Sequence, residues 1–151
     1  MVSDLFESLL QELAKSLQIK DLKPDPNNSC LIHFQNGLEV QIEPFEKDDK
    51  LLLVIDLGQI PKGRFREDVF RESLIANGIP SPGTFAYSDQ SDHLLLMELM
   101  PFDELNGEKI AATLSSMLEK AKIWKDNLDS GAVPIAHTLA SMAQTAKPFG
   151  I

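Results

Sequence analysis

Few side chains in this sequence have the chemistry for catalysis or metal binding, and their spacing forms no known motif. The three histidines are far apart along the chain, at positions 33, 93 and 137. Asp89, Asp92 and His93 could be drawn as a metal site, and Ser91 could be paired with His93 as a nucleophile and its base. Both groupings fall in one short polar turn, with no further ligand and no acid to orient the base. The sequence therefore predicts no catalytic residue and no metal site.

Cys30 is the only cysteine, which rules out an internal disulfide and favours a reducing cytoplasm. It falls on the apolar face of a predicted strand, where a thiol is normally inert packing. The chain also has no glycine-rich phosphate-binding loop, no paired-cysteine motif and no HExxH motif. We therefore expect no cofactor, and a binding protein is a better interpretation than an enzyme.

Length and charge limit the kinds of partner. The 151 residues fit one domain, and 14 basic against 23 acidic residues give a formal net charge of −9. This balance lacks the basic footprint needed to bind nucleic acid or an anionic membrane surface. The first residues carry no basic segment typical of a signal peptide, and no apolar run approaches the roughly 20 residues that span a bilayer. The sequence predicts a cytoplasmic protein without membrane insertion.

The first predicted helix covers residues 4–18 and is amphipathic over a wide arc. Its core-facing stripe repeats at helical spacing through Phe6, Leu10, Leu13 and Leu17. Leu5 and Leu9 extend this stripe to one side, so that it spans about 140° instead of the usual ~100°. Asp4 and Glu7 are spaced like a capping box at the start of the helix.

The segment "CLIHFQNGLEVQIEPF" predicts a hairpin, because residues 38–43 alternate apolar and polar side chains after an Asn-Gly turn. A two-residue turn would put the apolar residues of the first strand on the face of the charges. A three-residue loop, 35–37, with Gly37 left-handed as a bulge, pairs Phe34 with Leu38 instead. The apolar residues of both strands then share one face, and we predict this bulged turn.

The remaining elements complete an α+β pattern. They are a strand at 50–57, a helix at 64–77, strands at 83–88 and 93–100, and a long helix from Asn106, its N-cap, to residue 128. The order α-β-β-β-α-β-β-α with hairpin-length links predicts an antiparallel twisted sheet of about five strands with three helices. Residues 1–128 form the predicted domain. Residues 129–151 are predicted to be a C-terminal extension that is weakly structured or holds a short helix near 136–146.

The strand "KLLLVIDLG" is apolar from Leu51 to Ile55 without a break. A strand alternates its side chains, so Leu52 and Val54 lie on the face opposite Leu51 and Leu53. Burying each such side chain is worth roughly 1.5–3 kcal/mol, and leaving them wet would produce an aggregation-prone patch. We infer that another chain supplies part of the cover.

The order of the elements and the wording of several stretches resemble the class I type III secretion chaperones, the Tir-chaperone family of small acidic cytosolic dimers. The resembling stretches are "LFESLLQELAKSLQI", "FQNGLEVQIE", "LLLVIDLGQIP", "EDVFRESLIAN" and "LLLMELMPFDELNGEKIAATLSSMLEKAKIWKDNL". Together they cover about residues 4–128. The specificity lies in their common order, length and acidity, since no single stretch is decisive.

The resemblance implies a homodimer joined through the second helix and the strand after it. It also implies that an unfolded segment near the N-terminus of an effector protein lays strands and apolar anchors into grooves built from the first helix and the sheet. The chaperone would keep that segment non-globular and deliver it to the secretion apparatus. The secretion ATPase or its sorting platform is a further partner that the resemblance leaves open.

Two sets of apolar residues are the candidates for these surfaces. The predicted client groove lies on the edge of the first helix, on the second face of the strand at 50–57 and on the same side of the neighbouring hairpin. Its residues are Leu5, Leu9, Leu31, Leu52 and Val54. The predicted dimer interface lies on the second helix and the following strand, at Phe65, Val69, Phe70, Phe85 and Tyr87.

Two other classes of protein stay open at this point. A small-ligand-binding or thioesterase-like α+β protein would need one long central helix and a convergent acid or base, whereas the longest helix here comes last. A heterodimeric structural adaptor would use the same apolar faces, and the sequence does not separate it from a homodimeric chaperone.

Overall fold

The computed structural model describes residues 2–45, 47 and 49–139. The helices and strands are α1 (Val2–Ser16), β1 (Cys30–His33), β2 (Glu39–Phe45), β3 (Lys50–Gln59), α2 (Arg64–Asn77), β4 (Thr84–Ser88), β5 (His93–Pro101) and α3 (Gly107–Asp129). The predicted α+β fold and its order of elements are confirmed. The strands form one five-stranded sheet in the order β1-β2-β3-β5-β4. β1 and β4 are therefore its two edge strands.

The first hairpin has the predicted bulged turn. The Phe34 N–H donates to the Leu38 carbonyl at 2.9 Å, and the Gly37 N–H donates to the Phe34 carbonyl at 3.0 Å. Gly37 has φ +88°, a left-handed conformation that glycine adopts without the Cβ penalty. Cys30 pairs with Ile42 in the resulting antiparallel register. The apolar side chains of both strands are buried on one face, as the alternation indicated.

The chain divides into two compact parts, and the first comprises Met1–Val54 and Glu98–Leu114. Here α1 packs against β2 and buries its stripe through Phe6, Leu9, Leu10 and Leu13. The helix begins at Val2, so that Asp4 lies within its first turn and the predicted capping box is wrong. The predicted N-cap of α3 is confirmed, because the Asn106 side-chain oxygen accepts the Lys109 N–H at 2.8 Å.

The second part comprises Ile55–Met97 and, among the described residues, the chain from Ser115 onward. Here α2 packs against β4. The Asn77 side chain accepts the Phe85 N–H at 2.7 Å and donates to the Phe85 carbonyl at 3.0 Å. These two hydrogen bonds to the backbone of one residue fix the end of α2 on the edge strand β4.

The beginning of the C-terminal extension also packs in the second part. The Ala136 N–H donates to the Glu72 carboxylate at 2.9 Å, and Pro134, Ala136 and Leu139 are buried. Residues 136–139 are helical, whereas the rest of the predicted short helix lies outside the described residues. No helix in the described ranges is long and apolar enough to cross a bilayer.

Replacing Gly107 by alanine is expected to destabilise the first part of the chain. A Cβ atom at this position would lie 2.5 Å from the carbonyl carbon of Glu12, and α1 would have to shift to make room. Overpacking of this kind costs about 1–3 kcal/mol, which lowers the thermal midpoint by roughly 3–10 °C for a chain of this length. The exposed change Glu108→Ala in the same turn is the control and should move the midpoint by less than about 2 °C. Equal midpoints in calorimetry would contradict the close approach of α1 to the start of α3.

Candidate partner-binding surfaces

The predicted client-groove residues lie in the first part of the chain but differ widely in exposure. Leu5 and Leu31 are 41% and 49% exposed, and Val54 is half-buried. Leu9 and Leu52 are buried, at 1% and 9%. Of these five, only Leu5 and Leu31 thus present close to half of an apolar side chain to solvent.

Leu9 is a predicted groove residue, but it is buried within the single chain, on the side of α1 that packs against β2. With about 100° per residue, the four large buried residues of α1, Phe6, Leu9, Leu10 and Leu13, cover an arc of about 100°, whose centre lies about 50° from both Leu9 and Leu10. Leu5 lies about 90° from that centre, at the margin of the buried arc. The stripe therefore needs Leu9 as core and leaves Leu5 at the surface.

Leu31 lies on the exposed face of the edge strand β1. It pairs with Gln41 of β2, while its neighbours Cys30 and Ile32 point into the buried face. His33 and Glu39 are also exposed, with Nδ1 of His33 3.2 Å from Oε1 of Glu39. The surroundings of Leu31 are thus polar and partly acidic.

Sequence reasoning missed three further exposed apolar residues in this part: Ile19, Phe45 and Leu99. Leu99 could have been found from the run "HLLLMELM", in which Leu94 and Leu96 are buried and alternate residues point to the other face of β5. Phe45 ends β2 and Ile19 follows α1, where periodicity gives no face. These residues add further apolar area to the surface of the first part.

The predicted dimer-interface residues lie in the second part, where two of them are core. Val69 is fully buried in the chain, and Phe85 is 5% exposed. The Phe85 ring packs on the Trp124 ring with centroids 4.1 Å apart. Changing Val69 to glutamate would therefore unfold the chain whether or not it dimerises, and such a variant does not test the interface.

Phe65 and Phe70 point to different sides of α2, because five residues along a helix turn by about 140°. Phe65 lines a cavity of about 480 Å³ together with Leu57, Ile60 and Leu128. Phe70 packs edge-on against Tyr87, with ring centroids 4.8 Å apart. The structure thus brings together Phe70 and Tyr87 but not all five predicted residues.

Leu74 is an exposed apolar residue of α2 that the interface prediction omitted. It is 73% exposed, the highest value for a large hydrophobic side chain in the described ranges. It follows Phe70 by one helical turn, so the two side chains are neighbours on the surface. The four-residue spacing of Phe70 and Leu74 was the sequence signal that could have identified it.

A polar cluster supports the Phe70–Tyr87 pair. The Tyr87 hydroxyl donates to the Asp92 carboxylate, which lies 3.6 Å from Nη1 of Arg66. The hydrogen bond to Asp92 raises the pKa of Tyr87. The same hydrogen bond is the main cause that lowers the pKa of Asp92, and the positive charge of Arg66 lowers it further. Tyr87 therefore stays protonated and Asp92 stays ionised at neutral pH, which strengthens the bond between them.

The candidate chemical groups are engaged in structural contacts. Nδ1 of His93 lies 2.8 Å from both oxygens of Asp56. Burial, followed by the charge of Asp25, raises the pKa of the Cys30 thiol and disfavours its reactive thiolate. In the described part of the chain, no three side chains of His, Cys, Asp or Glu gather into a possible metal site.

The comparison with protein families identifies the chain. The model of the Tir chaperone protein (CesT) family matches residues 8–125. The chain therefore belongs to this chaperone family, which confirms the resemblance drawn from the sequence. No curated protein matches the chain.

Solved structures share the fold at low sequence identity. The chain is similar to a chain of the HopA1-SchA chaperone-effector complex, with TM-score 0.70, 16% identity and coverage of 82% of this chain and 95% of that one. It is similar to a chain of the ExsC-ExsE complex, with TM-score 0.64, 20% identity and coverage of 82% and 93%. It is also similar to a chain of the complex of the Yersinia pestis type III secretion chaperone SycH with a fragment of YscM2, with TM-score 0.59, 21% identity and coverage of 77% and 96%.

The exposure of Leu9 and Leu31 predicts that an aspartate destabilises the chain at the first position and leaves its stability almost unchanged at the second. Leu9→Asp should cost several kcal/mol and unfold much of the chain near physiological temperature, because it buries an unpaired carboxylate. Leu31→Asp should leave the thermal midpoint within about 2 °C of the unmodified protein, since that side chain is half exposed. Circular dichroism melts of the free protein measure both. A small effect of Leu9→Asp would place this residue at the surface after all.

Proposed function

We propose that the chain is a type III secretion chaperone that binds an extended N-terminal segment of effector proteins, keeps it non-globular and delivers it to the secretion apparatus. The observation that carries the proposal is the family match over residues 8–125. The similar chains from the HopA1-SchA chaperone-effector complex and from the complex of the type III secretion chaperone SycH support it, since they share the fold of this chain. The proposal includes no catalytic step and places the protein in the cytoplasm.

The exposed apolar side chains of the first part support a surface for such a segment. Leu5 on α1 and Leu31 on β1 are the predicted groove residues that reach solvent, and half-buried Val54 adds a smaller area. Leu9 and Leu52 reach a client only if the chain rearranges. Covering a half-exposed leucine is worth about 1 kcal/mol, so a client must touch many such points to pay for its own ordering.

The client surface is tested by the double variant Leu5→Asp and Leu31→Asp. Each change removes an apolar contact and adds a charge, so the dissociation constant of an effector segment should rise at least about tenfold. The segment is first identified by mass spectrometry after co-purification with the unmodified protein and is then titrated as a synthetic peptide. The double variant Ser8→Asp and Gln35→Asp, at exposed positions of α1 and of the first hairpin turn, adds the same two charges and should bind normally. Normal binding by the double variant would remove these residues from the client surface.

We also propose that the protein is a homodimer whose contact includes Phe70, Leu74 and Tyr87. A leucine that is 73% exposed beside a half-buried aromatic pair is the kind of apolar anchor that a partner covers. The edge strand β4 carries Tyr87, so this surface agrees with the second helix and the following strand that the family resemblance implies. A heterodimeric adaptor would use the same surface and is the competing candidate.

Leu74→Asp should convert the dimer into a folded monomer. The side chain is mostly exposed in the single chain, so the helical circular dichroism should be retained while light scattering reports half the mass. Ser116→Asp, exposed on α3, adds the same charge and should leave the dimer intact. A monomeric unmodified protein at tens of micromolar would rule out the homodimer and favour the adaptor.

A further inference from the structure

Three polar side chains meet beneath the aromatic pair of α2 and β4. The Tyr87 hydroxyl donates to Asp92, Nη1 of Arg66 lies 3.6 Å from Oδ1 of Asp92, and the Arg66 guanidinium carbon lies 5.5 Å from the centroid of the Tyr87 ring. The Arg66 side chain is only 16% exposed. Asp92 therefore contacts the neutral Tyr87 hydroxyl and the charged Arg66 guanidinium. Tyr87 is held by Asp92 at its hydroxyl and by Arg66 at its ring face.

Asp92 is anchored through its backbone as well. It has φ +60°, a left-handed conformation that Asp tolerates better than most residues. Its N–H donates to the Ser88 carbonyl at 2.8 Å, and its carbonyl accepts the Ile60 N–H at 2.9 Å. Arg66 in turn donates to the Ile60 carbonyl through Nε at 3.0 Å. The turn between β4 and β5, the segment after β3 and the first turn of α2 are thus joined at one aspartate.

This network ends at the apolar surface of the proposed dimer contact. The Tyr87 ring packs edge-on against Phe70, and Leu74 extends the same side of α2 into solvent. Rigid aromatic side chains make strong binding contacts because little conformational freedom is lost when a partner covers them. A tyrosine fixed at its hydroxyl meets that condition better than a tyrosine free to change its rotamer.

We propose that Asp92 is a positioning residue for self-association, which holds the Tyr87 ring against Phe70 in the orientation that a second copy of this chain recognises. The proposal rests on the proposed homodimer and adds a polar residue that makes no contact with the partner itself. It requires that Asp92 act through the Tyr87 hydroxyl. It therefore predicts weaker dimers for the variants Tyr87→Phe and Asp92→Asn, which a purely apolar contact would not predict.

The sign of the effect of Tyr87→Phe is the critical test. Phenylalanine keeps the ring and is the more apolar residue, so an interface that depended on apolar area alone would tighten or stay the same. If the hydroxyl positions the ring, the dimer dissociation constant should instead rise about tenfold, equivalent to about 1.4 kcal/mol. Asp92→Asn, which suits the left-handed backbone but lacks the charge, should weaken the dimer by about threefold or more.

Asp56→Asn is the matched control for the loss of a carboxylate. The Asp56 carboxylate lies 2.8 Å from Nδ1 of His93 and so belongs to a neighbouring hydrogen bond, outside the cluster of Tyr87, Asp92 and Arg66. Its dimer dissociation constant should stay within about twofold of the unmodified value, since isolated exposed pairs contribute little. A dilution series in analytical ultracentrifugation measures the constant for all four proteins.

The thermal midpoint measured at concentrations below the dissociation constant distinguishes positioning from a general role in folding. Positioning predicts monomer midpoints for Tyr87→Phe and Asp92→Asn close to that of the unmodified monomer. A purely structural role predicts lowered monomer midpoints with an unchanged dissociation constant of the folded protein. If the unmodified protein dimerises and Tyr87→Phe does not weaken it, this inference alone is wrong; if the unmodified protein is monomeric, the proposed homodimer is wrong and the inference falls with it.

Discussion

Strand β3 carries apolar side chains on both of its faces, and this double requirement for cover organises the fold. It is the third of five strands, between β2 and β5, so its backbone is paired on both sides. Leu51, Leu53 and Ile55 are buried on one face, and Leu52 is 9% exposed on the other. At roughly 1.5–3 kcal/mol for each buried side chain, leaving one face wet would forfeit an amount comparable with the whole stability of a domain. The chain supplies most of this cover itself, and another chain is not needed at Leu52.

Local signals predicted the elements well because each depended on residues close together in sequence. Alternation and a glycine that must be left-handed fixed the register of the first hairpin, and a side-chain N-cap fixed the start of α3. The residues of the binding surfaces were harder to predict, because the exposure of a side chain depends on which element, distant in sequence, packs against it. Phe85 and Tyr87 are two residues apart on the same face of β4, yet Phe85 meets Trp124 and becomes core while Tyr87 meets Phe70 and stays half-buried. No pattern within β4 distinguishes them.

The same reasoning separates the two edges of the α1 stripe. Periodicity locates the arc of apolar residues but not its buried centre, which only the position of β2 defines. Leu9 falls inside that arc and is core, whereas Leu5 falls at its margin and is exposed. A wide stripe therefore does not imply a wide wet surface. In this helix, one residue of the extra arc reaches solvent.

The exposed apolar side chains of the first part lie on different elements of the chain, an arrangement that suits the binding of an extended segment. Leu5, Leu31 and Leu99 are each about half exposed and lie on three different elements, and Leu31 is surrounded by polar and acidic side chains. A continuous apolar patch of the same total area would favour aggregation, particularly at the edge strand β1. Separate points worth about 1 kcal/mol each bind strongly only when one extended segment touches many of them at once. Contacts on separate elements therefore favour an extended partner over a compact one.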